Sequence, residues 1–128
     1  MREQDMLNSR QKFGKKSESI AVGYLKKHGY KIIKQNYRTK VGEIDIIARE
    51  KGTIAFVEVK SRKSNKFGNP KWAVTPKKQR KISMVALQYL KTTMQSHAKA
   101  RFDVVSIVSS HERPSIEIIK NAFELAYG

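Results

Sequence analysis

Cysteine is absent from this chain, so disulfides, thiolate zinc sites and cysteine nucleophiles are all excluded. A reducing cytoplasm suits such a composition. No apolar run approaches the roughly 20 residues that a membrane span needs. Met1 to Lys16 is polar, with no apolar core of a signal peptide, and a cytoplasmic protein with no membrane partner is the expectation. Acidic residues are the other scarcity. There are 11 Asp and Glu against 27 Lys and Arg, a net charge of +16 over 128 residues. A field of that sign attracts polyanions, which makes nucleic acid the favoured partner. The length fits one domain with a modest core.

The scarce acids are not scattered evenly. Glu43 and Asp45 stand in Gly42-Glu43-Ile44-Asp45, and Glu58 stands with Lys60 in Phe56-Val57-Glu58-Val59-Lys60. Both segments read as strands, Glu43 to Glu50 and Thr53 to Arg62, separated by Lys51-Gly52, where glycine suits a tight hairpin turn with positive φ. A two-residue loop sets Glu50 against Thr53, and counting inward sets Asp45 against Glu58 and Glu43 against Lys60. Side chains alternate between faces, so Ile44, Ile46, Ala55, Val57 and Val59 share the apolar face, and Glu43, Asp45, Phe56, Glu58 and Lys60 lie on the other. Carboxylates directly opposite in an antiparallel pair are close enough to repel unless a proton, a lysine or a metal lies between them. Oxygen donors so placed suit Mg²⁺ or Mn²⁺, which use one or two carboxylates plus water and substrate phosphate.

The rest of the chain supplies a frame. Met1 to Lys12 carries little periodicity and reads as a flexible segment ahead of a single domain over 13–128. Phe13 to His28 has helical spacing in Ile20, Ala21, Tyr24 and Leu25, with Gly29 as a left-handed helix stop. Tyr30 to Tyr37 reads as a strand. Thr75-Pro76 starts a helix reaching about Met94 that buries Ile82, Val85, Ala86, Tyr89 and Leu90. Strands follow at Phe102 to Val108 and Ser115 to Lys120. The order α-β-β-β-α-β-β predicts an α/β fold, a mixed sheet flanked by helices. Asp103, inside an apolar strand, is expected to be structural, orienting Arg101 or a backbone amide, with a place in the site as the alternative. His28, His97 and His111 have no mutual metal spacing.

Asp45 followed by Glu58-x-Lys60 on the next strand resembles the PD-(D/E)xK nuclease signature. A longer string is more specific: Gly14-x-x-x-Glu18, Tyr24-Leu25, Gly29-Tyr30, Asn36-Tyr37-Arg38, Gly42-Glu43-Ile44-Asp45, Phe56-Val57-Glu58-Val59-Lys60-Ser61-Arg62, Phe67-Gly68, Ala73-Val74, Lys78 and Arg101-Phe102-Asp103-Val104-Val105. This string resembles the YraN family of small bacterial proteins, regarded as predicted endonucleases and itself similar to archaeal Holliday junction resolvases. Ser17 stands where that family usually shows a second glycine. The resemblance implies a restriction-endonuclease-like core that cuts phosphodiester bonds, with structured or branched DNA favoured over RNA. It implies Mg²⁺ or Mn²⁺ held by Asp45, Glu58 and the Val59 carbonyl, with Glu18 on the first helix as an auxiliary ligand and Lys60 as the catalytic lysine. Arg38, Lys40, Arg62, Lys63 and Lys66 flank the hairpin, and Lys77, Lys78, Gln79, Arg80 and Lys81 crowd a helix start. Together they form the expected nucleic-acid surface. Phe67 and Trp72 read as closing a core edge. Relatives that cut symmetrically imply a homodimer, and activity that waits for a protein partner is a further expectation. The rival reading is a catalytically silent nucleic-acid-binding module.

Overall fold

The computed structural model describes residues 9–63, 74–109 and 114–124, the first seven of them by backbone alone. The elements are α1 (Ser9–Lys27), β1 (Lys31–Arg38), β2 (Glu43–Glu50), β3 (Thr53–Arg62), α2 (Pro76–Thr92), β4 (Ala100–Val108) and β5 (Ser115–Phe123). Helix α1 begins at Ser9, four residues ahead of the expected start. Its end is the one the glycine announced. Gly29 sits at φ 88, its N–H bonds the Lys26 carbonyl at 3.2 Å, and the Tyr30 N–H bonds the Leu25 carbonyl at 3.0 Å. These two bonds satisfy carbonyls that the helix leaves open, and Leu25 and Tyr30 bury together in one apolar cluster.

The five strands form one sheet in the order β1-β2-β3-β4-β5. Neighbours are antiparallel except β3 and β4, which run parallel from Ile54–Ala100 to Arg62–Val108. A parallel pair needs a crossover, and α2 lies within it. Thr75 caps α2, its side chain accepting the Lys78 N–H at 3.2 Å, with Pro76 in the first turn. Ile47, Ile54, Phe56, Phe102 and Val104 bury with Ile82, Val85, Ala86 and Tyr89 of α2. On the opposite face Ile46, Ala48, Ala55, Val57, Val105 and Ile107 bury with Ala21 and Leu25 of α1. The sheet is thus the middle of three layers, as the element order predicted.

The hairpin turn is left-handed at both loop residues, Lys51 at φ 48 and Gly52 at φ 79, the backbone that matches the twist of the flanking strands. The register runs from Glu50–Thr53 to Ile46–Val57, and the pairing stops there. Beyond it β2 stays with β1 as far as Glu43–Arg38, while β3 stays with β4. The sheet forks, and neither expected pairing, Asp45 with Glu58 or Glu43 with Lys60, forms; the Asp45 carboxylate accepts the Val59 N–H instead. Ile44 also departs from expectation, since it buries on the α2 side while Ile46 buries on the α1 side. Across from the change, Asn36 of β1 sits at φ 53 between the pairs Gln35–Ile46 and Tyr37–Ile44. The extra twist of a left-handed residue carries Tyr37 and Ile44 toward Tyr89, whose ring meets Tyr37 edge-on at 5.3 Å. A register shift in β1 falls between Ile32 and Lys34. Another in β4–β5 falls between Phe102 and Val104, with Asn121 of β5 at φ 53.

The α1 face also holds a buried polar knot. Asp103 is 0% exposed. It accepts the Tyr30 hydroxyl at 2.8 Å, the Arg101 Nε–H at 3.0 Å and the Asn121 N–H at 3.0 Å. Arg101 also donates to Tyr30 at 3.1 Å and to Glu50 at 2.7 Å, and Lys120 donates to Glu50 at 2.8 Å. Asp103 therefore does both things expected of it, orienting Arg101 and holding a backbone amide. Lys120 is the first cause of the lowered Glu50 pKa. Burial opposes the charge on Arg101, but Glu50, Tyr30 and Asp103 hold its pKa above the ordinary value.

Candidate active site

The fork between β2 and β3 is where the scarce acids meet. Past Val57, the N–H groups of β3 that point toward β2 lose their strand partner. Asp45 takes the place of one, its Oδ2 accepting the Val59 N–H at 2.8 Å. Two clefts open on this point. One, of about 350 Å³, is lined by Ser17, Glu18, Asp45, Glu58, Val59, Lys60, Ser61 and Lys78. The other, of about 260 Å³, is lined by Gly42, Glu43, Asp45, Glu58, Lys78, Lys81 and Ile82. Asp45, Glu58 and Lys78 border both. Ser17, at the family's glycine position, is buried at the wall of the larger cleft and leaves Glu18 facing it.

Glu58 is buried, and its charge is met by lysine. Lys78 of α2 forms an ion pair with Glu58 Oε1, and Lys60 Nζ lies 3.7 Å from the same oxygen. Of the three ways of holding the carboxylates together that the sequence left open, a lysine is present at Glu58. Burial and the Asp45 and Glu58 charges tie the three groups together electrostatically. Asp45 is pushed up to about 7, first by burial, then by Glu58, with Glu18 adding to the effect and the Val59 N–H and Lys78 opposing it. Lys60 is lowered by burial and by Lys78. Burial acts against Lys78 too, but its bond to Glu58 holds its pKa above the ordinary value.

A raised carboxylate pKa has a measurable consequence. The ordinary value for Asp45 is 3.8, and the folded value is about 7. The folded state therefore binds more protons than the unfolded chain between those limits. The Asp45 contribution to stability is full below pH 4, falls as pH rises to 7, and stays lost above it. Asp45→Asn removes the ionised group and keeps an acceptor for Val59. It should stabilise the metal-free protein by on the order of 2 kcal/mol at pH 8 and by little at pH 4. Urea unfolding at the two pH values measures this, and an equal effect at both would refute an origin in the ionisation of Asp45.

The carboxylates at the larger cleft, Asp45 and Glu58 with Glu18, offer oxygen donors of the kind that suit a hard divalent cation. Among the described residues no three His, Asp or Glu side chains are grouped so as to hold an ion by themselves. Mg²⁺ commonly binds by one or two carboxylates and completes its shell with water and substrate phosphate.

The residues expected to meet nucleic acid divide into groups. Lys40, Lys63, Lys77 and Arg80 are exposed. Arg38 is exposed and lies 3.4 Å from Glu43. Lys81 lines the smaller cleft, and Lys78 belongs to the carboxylate centre. The Gln79 amide donates to the Val74 carbonyl at 2.9 Å, which ties down the start of α2. Arg62 is half-buried, and its Nε, one of its terminal nitrogens and the neighbouring Ser61 hydroxyl have no hydrogen-bond partner among the described residues. Lys66, Phe67, Trp72 and His111 lie outside the described residues. His28 is a helix-end residue, its ring nitrogen 2.8 Å from the Tyr24 carbonyl.

Sequence reasoning placed Lys78 on a surface rather than in the centre. One signal was available: α2 has no acid in its first turn to pair with its lysines. The cap fixes the rest, because the Thr75–Lys78 bond sets the first turn and hence where Lys78 starts. The knot around Asp103 joins residues up to 73 positions apart, and no local pattern marks it.

The fold and site define an α/β domain with an acid–lysine centre at the fork of a mixed sheet. Residues 17–107 match the model of the Uncharacterised protein family UPF0102. Similar curated proteins, each called a UPF0102 protein, include one from Desulfosudis oleivorans, 55% identical over 93% of this chain and 95% of its own. Another, from Syntrophus aciditrophicus, is 55% identical over 90% and 91%. A third, from Geotalea uraniireducens, is 51% identical over 99% and 100%. The chain belongs to the UPF0102 family. No helix among the described residues is long and apolar enough to cross a membrane.

Proposed function

We propose that this protein is a metal-dependent endonuclease that hydrolyses phosphodiester bonds in structured or branched DNA. One observation carries the reading: Glu18, Asp45, Glu58 and Lys60, from three separate elements, line a single cleft in a chain of net charge +16. A solvated surface hairpin has no cause to bury Glu58 or to raise the pKa of Asp45. Asp45, Glu58 and the Val59 carbonyl would hold Mg²⁺ or Mn²⁺, with Glu18 as auxiliary. When bound, such an ion polarises a phosphoryl oxygen and neutralises charge that develops on it. Lys60 orients the attacking water or stabilises the negative charge on the phosphoryl oxygens as the leaving oxygen departs. The exposed Arg38, Lys40, Lys63, Lys77 and Arg80 hold phosphates without reading sequence. The preference for branched DNA rests on the resemblance to resolvases.

The test is cleavage of labelled single strand, duplex, flap and four-way junction in Mg²⁺ or Mn²⁺, with a chelator control. Cutting that needs the ion and is strongest on the junction or flap is the expected result. Binding that falls steeply with salt, without cutting on any substrate, would instead assign a nucleic-acid-binding module.

A further inference from the structure

Lys78 was expected on the phosphate surface, but it sits at the carboxylate centre, bonded to Glu58. It comes from α2, whereas Asp45, Glu58 and Lys60 come from the hairpin strands. Its ammonium forms an ion pair with the buried Glu58, and it lines both clefts together with Asp45 and Glu58. The Lys78 side chain is 42% exposed, against 6% for Glu58. One partner is fixed in the wall and the other has solvent to move into. Its backbone is pinned by the Thr75 cap, so motion is confined to the side chain.

We propose that Lys78 is a resident counter-cation that a divalent ion displaces on entering the site. This inference rests on the metal-dependent reading above. In the metal-free protein, loss of Lys78 would leave the buried Glu58 with only the more distant Lys60 ammonium at 3.7 Å, a costly state. A divalent cation on Asp45 and Glu58 supplies that compensation itself. A lysine ammonium so close to it is then repelled, because like charges about 4 Å apart interact strongly where the effective dielectric is about 20. The released side chain remains anchored at the cleft mouth, within reach of a phosphate oxygen of the substrate. Lys78 thus trades a carboxylate for a phosphate, and no bond is made or broken in the exchange. The device keeps the folded metal-free protein intact and makes ion and lysine mutually exclusive on Glu58.

Two measurements on the full chain, without nucleic acid, test this. Mn²⁺ titration by calorimetry should show Lys78→Met binding the ion about tenfold or more tightly than wild type, with Lys91→Met, an exposed change in the last turn of α2, unaltered. Amine acylation read by mass spectrometry on the unmodified protein should show Lys78 slow to react without Mn²⁺ and faster with it, while Lys77 does not change. The second readout stands even if Lys78→Met folds poorly. Mn²⁺ bound by wild type and lost in Glu58→Gln, with Lys78 labelling unaltered and Lys78→Met no tighter, overturns the displacement and leaves the metal site standing. No Mn²⁺ binding by either wild type or Lys78→Met overturns both.

Discussion

Lys60→Ala should lower metal-dependent cleavage by about 10²–10⁴-fold, the range for removal of one preorganised charge from a reacting centre. Its position is the reason. Lys60 lies one residue past Val59, whose carbonyl is an expected ligand, and its ammonium is 3.7 Å from Glu58. It is half-buried, and burial together with Lys78 lowers its pKa, so it is not an ordinary surface lysine. The fold does not depend on it, because Lys78 still compensates Glu58. The variant should therefore unfold within about 1 kcal/mol of wild type and keep most of its DNA affinity, which comes from dispersed phosphate contacts. Single-turnover cleavage of a junction, beside urea unfolding and a salt-dependent binding curve, separates these quantities. Wild-type cutting by the variant would remove Lys60 from the mechanism.

Arg101→Ala should be the most destabilising single change in the polar part of the protein, at about 3–5 kcal/mol. Its side chain is 17% exposed and bonds Asp103, Tyr30 and Glu50 at once. Asp103 is 0% exposed, so losing the guanidinium strands a carboxylate inside the sheet–helix layer. The Tyr30 hydroxyl and the Asn121 N–H would remain on Asp103, but neither is a countercharge. Lys120→Ala makes the contrast. Lys120 also bonds Glu50 but is 51% exposed, and its loss should cost less than about 1 kcal/mol. Asp103→Ala combined with Arg101→Ala should cost less than the two singly, since the second change removes the charge that the first left unpaired. Urea midpoints for wild type, the three single variants and the double variant check all of this, and equal losses for Arg101→Ala and Lys120→Ala would contradict it.

Much of this architecture was readable in one dimension because its causes are local. Alternation and Lys51-Gly52 set the hairpin, Gly29 ended α1, and Thr75-Pro76 opened α2. The nearness of Asp45 and Glu58 was visible for the same reason, although the loop fixes the register only as far as Ile46–Val57, and beyond it the two acids meet across a fork rather than as a cross-strand pair. The departures arise where the cause lies on another strand. Ile44 changes face because of Asn36, and β5 runs to Phe123 rather than Lys120 because a bulge at Asn121, secured by Asp103, breaks its alternation. Lys78 illustrates the same limit. Helical spacing tells which residues share a face, but only the crossover from β3 to β4 decides which carboxylate that face meets.

The irregularities in β1 and β5 also bear on how the molecule behaves among copies of itself. These are the two outer strands of the sheet, and each is interrupted by a register shift and a left-handed asparagine, with Lys31 and Lys34 exposed along β1. Neither margin offers the long flat row of unpaired amides and carbonyls on which another strand can grow. A concentrated solution of this protein is guarded against fibril-like stacking. A second copy that docks through helix or loop surfaces leaves the five described strands as they are.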